Sequence, residues 1–141
     1  MNLAFAIGAS GVLMAIAAVH VYWAVGGVWP ATVRAELPQT VVGTKDTKMP
    51  PRGVTLAVAF MIFVAALVPL VTTGLLPVTL PCALQMLALW GLILVFLVRG
   101  LVTYTPLGDR YSVVEPFRTL NRKYYSPLCV LLGLCLSAIA F

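Results

Sequence analysis

The chain predicts an all-α, polytopic membrane protein: one bundle of four transmembrane helices with both termini on the non-cytoplasmic side. Three observations carry this prediction. Hydrophobic residues fill 62% of the 141 positions and charged residues only 9%, whereas a soluble domain carries roughly 25% charged residues. Four apolar runs approach or exceed the roughly 20 residues that cross a bilayer. All nine Lys and Arg residues fall in or beside two connections, which share one face once the runs are threaded in alternate directions. The positive-inside rule makes that face the cytoplasm. The net charge of +5 therefore reads as a topology signal and an attraction to anionic headgroups, not as a nucleic-acid signal. A single domain over residues 1–141 fits the length.

The first run covers about residues 3–25. Its flank Met1-Asn2-Leu3-Ala4-Phe5 has no Lys or Arg, so the run is expected to be a retained helix and not a signal peptide. Gly8, Gly11 and Ala15, with Ala17 and Ala18, read as a close-packing face. The run ends in His20-Val21-Tyr22-Trp23-Ala24-Val25-Gly26-Gly27-Val28-Trp29-Pro30. Its Trp and Tyr residues suit the headgroup region, and the Gly-Gly pair and Pro30 terminate the helix.

The connection at about 28–53 holds Arg34, Lys45, Lys48 and Arg52. Residues 29–37 are expected to form a short surface helix. The second run, about 54–76, contains Pro69, which should kink it, with Thr72 and Thr73 available for freed carbonyls. A charge-free turn around Pro77 leads to the third run, about 82–104, where Arg99 lies near the cytoplasmic interface and snorkels.

The second polar connection, about 105–123, holds Asp109, Arg110, Glu115, Arg118, Arg122 and Lys123. The fourth run, about 125–141, is short, and Ser126 with Pro127 reads as an N-cap and first helical residue.

The inner ends of all four runs gather ionisable and aromatic residues at similar depth. His20, Trp23, Arg99, Glu115, Asn121 and Tyr125 are the candidate ligand-lining residues. Against this, a lone His near a helix end, belt aromatics and a snorkelling Arg are ordinary interfacial features. All four acidic residues lie in the connections, so a proton-coupled exporter with an intramembrane carboxylate is disfavoured. The three cysteines form no CxxC or Cys/His cluster, so no metal site is expected. One histidine does not make a bis-histidine haem, and no cofactor is expected. No P-loop, dinucleotide fingerprint or Ser-His-Asp order is present.

Three functional classes follow. The first is a non-enzymatic membrane protein binding a lipid-like or hydrophobic small molecule, or a partner helix, through the cytoplasmic-side cluster. Membrane lipids, a homo-oligomer or a larger membrane complex are its expected partners, and nucleic acid is not. The second is a membrane enzyme acting on a lipid or isoprenoid-like substrate. There His20 would be the acid/base, with Arg99 stabilising an anion and Glu115, Asp109 or Tyr125 assisting. The third is an oligomeric pore or transporter, which would need a continuous polar helix face. The balance leans away from catalysis.

The stretch His20–Trp29, the pair Arg99-Gly100 and the segment Tyr124-Tyr125-Ser126-Pro127-Leu128-Cys129 together resemble the small four-helix bacterial membrane proteins grouped as the domain-of-unknown-function 3995 family. The resemblance covers essentially the whole chain. It implies the four-helix architecture and carries no activity; the expected location is the bacterial inner membrane, multi-pass.

Overall fold

The structure, a computed structural model, describes residues 2–45, 47–111 and 114–141, without the side chains of Asp109 and Tyr111. Helix α1 spans Asn2–Ala24, α2 Leu37–Val41, α3 Arg52–Thr72, α4 Cys82–Val102, α5 Pro106–Tyr111 and α6 Phe117–Leu120. A π-helical turn, Asn121–Tyr125, leads directly from α6 into α7, Ser126–Ala140. Four stretches are long and apolar enough to cross a membrane: Asn2–Ala24, Arg52–Thr72, Cys82–Val102 and the continuous helical stretch Phe117–Ala140.

The long helices alternate in direction. Helix α1 packs mainly on α3 and α4 mainly on α7, and α1–α7 and α3–α4 contacts close the bundle. Small side chains let the first pair approach closely. Helix α1 buries Ala6, Ser10, Leu13, Ala17 and Ala24, a row at spacings of three, four or seven, and α3 buries Thr55, Ala59, Ala66 and Pro69. The expected packing face is therefore displaced. Gly8, Gly11, Ala15 and Ala18 are exposed, and only Ala17 of the expected group is buried. Small residues cover two neighbouring faces of α1, and the large Leu13 marks the one that interlocks with the core. The Ser10 hydroxyl is buried in this seam with no hydrogen-bond partner.

The apolar core is formed by Leu13, Ala66, Leu89, Ile93, Leu132 and Leu136 with their neighbours. It occupies the half of the bundle nearer the charge-free turn. At that end a shallow cleft is lined by Asn2, Leu3, Thr72, Thr73 and Ile139, which brings together the start of α1 and the ends of α3 and α7. At the opposite end α2 packs on α6, and the Phe117 ring lies where a side chain on Gly43 would be. Both long connections thus meet at one end. Every Lys and Arg of the chain belongs to it. Large apolar residues such as Phe60, Met61, Leu87 and Leu94 face outward, as expected where hydrocarbon replaces water.

Three local expectations change. Helix α3 ends at Thr72 and not near residue 76. Gly74 adopts a left-handed φ of 75°, and the Thr72 and Thr73 hydroxyls donate to the Val68 and Pro69 carbonyls at 2.9 and 2.7 Å. These bonds tie off the last turn, so Pro69 stands one turn from the helix end. In the first connection, residues 29–36 form turns and bends, and the short helix begins at Leu37 with Pro38 in its first turn. Leu37 and Pro38 are both buried.

The third change concerns the last span. Helix begins at Phe117, so this span has 24 residues and is not short. Pro127 has no N–H for the Lys123 carbonyl, a defect that ordinarily kinks or ends a helix. Here the Ser126 N–H bonds to the Asn121 carbonyl, five residues back. The widened π turn carries the chain past the proline. Ser126 is consequently an interior helical residue and not an N-cap.

Candidate functional site

The basic end is organised by close contact between α4 and α7. A side chain on Gly100 would place its Cβ 2.6 Å from Val130 Cγ2 and 2.9 Å from both the Ser126 carbonyl oxygen and the Val130 nitrogen. Glycine alone lets the two backbones meet there. One helical stretch further along, Gly133 receives Leu97 in the same way.

This approach sets Thr103 beside Ser126. The Ser126 hydroxyl lies 2.7 Å from Thr103 Oγ1 and 3.2 Å from Asn121 Oδ1, and its single proton serves one of them at a time. Asn121 Nδ2 donates to Thr103 Oγ1 at 3.1 Å. Arg99, one turn before Thr103, donates through Nη2 to Asn121 Oδ1 at 2.9 Å and through Nη1 to Thr103 Oγ1 at 3.3 Å. Thr103, Asn121 and Ser126 are 3%, 2% and 0% exposed, whereas Arg99 remains exposed. In a low-dielectric setting such a connected network is rigid and specific. It consists of an amide, two hydroxyls and a guanidinium. Among its described members there is no base to activate a nucleophile, and its evident chemical capacity is to hold a cation in a fixed orientation.

The end of α1 is built differently. His20 Nδ1 bonds to the Ile16 carbonyl at 2.8 Å, and because a carbonyl only accepts, Nδ1 carries the proton. The His20 ring lies 4.9 Å from the Trp23 ring, centroid to centroid, at 60°. Trp23 Nε1 donates to the Trp29 carbonyl at 2.6 Å. The Tyr22 ring occupies the space a side chain on Gly27 would need, and Gly26 has φ 112°. The aromatic stretch is thus a clasp: it ends α1, reverses the chain and fixes the exit with one indole hydrogen bond.

The six candidate residues divide accordingly. Arg99 and Asn121 are directly bonded. His20 and Trp23 form a separate pair, with contacts inside their own helix and clasp. The Glu115 carboxylate accepts the Thr119 N–H at 3.2 Å and so braces the start of α6. The Tyr125 hydroxyl reaches the Thr40 carbonyl at 3.4 Å, its ring 6.0 Å from that of Phe117, and holds the first connection against the bundle. The Asp109 side chain lies outside the described part of the structure. Among the described residues no three His, Cys, Asp or Glu side chains gather to hold a metal ion.

Thr103 and Thr40 are the contributors that the sequence reading missed. Thr103 had a signal, since it follows Arg99 by four residues and shares its helix face. Asn121 was already a candidate by its place in the chain, but its meeting with Ser126 had no such signal. Five residues in an α-helix lie about 140° apart, and only the π turn brings both to the same side.

A family model described as protein of unknown function (DUF3995) matches residues 13–136. No curated protein and no solved structure matches the chain.

Proposed function

We propose that this chain, which belongs to the DUF3995 family, is a non-catalytic protein of the bacterial inner membrane that binds a lipid-like ligand at its basic, cytoplasmic end. The observation carrying this reading is the buried Thr103–Asn121–Ser126 network, which presents one exposed guanidinium at the basic end. A guanidinium near the end of a spanning helix suits the depth where amphiphile headgroups stand. The catalytic alternative gains little from the geometry, because His20 bonds within its own helix and, among the described residues, is bonded to no carboxylate or tyrosine hydroxyl. Photocrosslinking with a diacyl lipid probe tests the binding reading. Adducts are expected to concentrate on residues around Tyr104 and Tyr124. Adducts spread evenly over the apolar surfaces of all four spans would overturn it.

The orientation follows from the gathering of positive charge. Cys82 is exposed at the start of α4, directly after the charge-free turn, and belongs to the non-cytoplasmic end. In a protein with Cys129 and Cys135 changed to serine, a membrane-impermeant maleimide is expected to label Cys82 in spheroplasts. Labelling only in inverted vesicles would reverse the assignment.

A further inference from the structure

We infer that Arg99 is a phosphate-binding residue, taking the phosphate of an amphiphile at the basic end; the inference rests on the lipid-binding reading above and names its headgroup chemistry. A guanidinium has five N–H donors. Arg99 uses one on Asn121 and one on Thr103, and both acceptors are neutral oxygens. The two described glutamates are engaged elsewhere, Glu36 with the Thr32 hydroxyl and Glu115 with the Thr119 N–H. The C-terminal end of α4 offsets part of the charge as a helix dipole does, but among the described residues no carboxylate pairs with it. Arg99 therefore keeps its charge and three donors.

The two anchoring bonds also fix the plane of the guanidinium in advance. A planar fork of donors matches two oxygens of a phosphate, and pre-orientation lowers the entropy lost on binding. Depth selects among anions. Arg99 stands three residues before the end of α4, about 4.5 Å inside it along the axis, with exposed Tyr104 just beyond that end and exposed Tyr124 shortly after its partner Asn121. Tyrosines of this kind mark the headgroup level, where lipid phosphates are concentrated. A snorkelling arginine with no other role needs no buried amide and pair of hydroxyls to orient it.

The experiment compares dioleoyl phosphatidic acid with dioleoylglycerol, which lacks only the phosphate, by native mass spectrometry of the full chain titrated with each lipid. The unmodified protein is expected to bind the phosphatidic acid about tenfold tighter, the scale of one charge-assisted hydrogen bond. Arg99→Gln is expected to abolish that preference while dioleoylglycerol binding persists, which also shows that the variant is folded. Arg99→Lys, which keeps the charge but not the fork, is expected to lose most of the preference. Lys48→Gln, a change of an exposed cation in the other connection, is expected to retain it. Competition by millimolar inorganic phosphate would identify soluble phosphate as the group bound, and its failure to compete would identify the lipid headgroup. A preference unchanged in Arg99→Gln overturns the inference and leaves the lipid-binding reading standing. Retention of neither lipid by the unmodified protein overturns both.

Discussion

Gly100→Ala is expected to destabilise the bundle by about 3 kcal/mol, the upper range for overpacking a tight contact. The reason is the identity of the atoms in the way. The new Cβ would meet the Ser126 carbonyl and the Val130 nitrogen, each at 2.9 Å, as well as the Val130 side chain. A side chain can rotate aside, but the backbone of α7 can yield only by moving as a helix. That movement would separate Thr103 from Ser126, whose hydroxyls are 2.7 Å apart, and loosen the cradle that holds Arg99. Gly91→Ala is the matched control. It lies in the same helix, and an added Cβ there has nothing within 4 Å. It is expected to be neutral or to gain the roughly 0.5–1 kcal/mol by which alanine exceeds glycine inside a helix. Denaturation of both variants in mixed detergent micelles gives the comparison. Equal midpoints would show that α4 and α7 do not meet at Gly100.

Asn121→Ala is expected to lower stability by about 2–3 kcal/mol, because it removes the central amide of a buried network and leaves hydroxyls short of partners. Asn121 is 2% exposed and bonds to Arg99, Thr103 and Ser126, so no water replaces it without rearrangement. Asn121→Asp separates the structural role from the binding role. Aspartate keeps the oxygen that accepts from Arg99, gives up the Nδ2 donor to Thr103, and adds a carboxylate that pairs with the guanidinium. Its fold is expected to survive better than that of the alanine variant, while its preference for phosphatidic acid over dioleoylglycerol disappears. An aspartate variant that keeps the preference would show that Arg99 does not need its uncompensated charge, and would count against its assignment as a phosphate ligand.

Much of the architecture was legible from the amino-acid order alone. The four spans and the gathering of cationic residues at one end follow from the length of apolar runs and the placement of nine Lys and Arg residues. These are one-dimensional properties, set by how far an apolar helix must run before the chain can carry charge again. The placement of Arg99 in the last turn of its helix was legible for the same reason, as was the termination of the first span by the Gly26-Gly27 pair.

What the tertiary structure decided was which side chains at equal depth touch. His20 and Arg99 each stand near the end of a long helix, but the described contacts of His20 stay within α1, while those of Arg99 run to Thr103 and Asn121. Depth fixes one coordinate, and the rotation of each helix about its own axis fixes the other. In α1 small residues lie on two faces, so their pattern left that rotation open until Leu13 interlocked with the core. In the last span the rotation depends on the π turn before Pro127, which shifts Asn121 relative to Ser126 and joins residues that a regular α-helix would keep apart. Sequence determined how far along each helix the polar groups lie; only the packing of four helices determined which of them face one another.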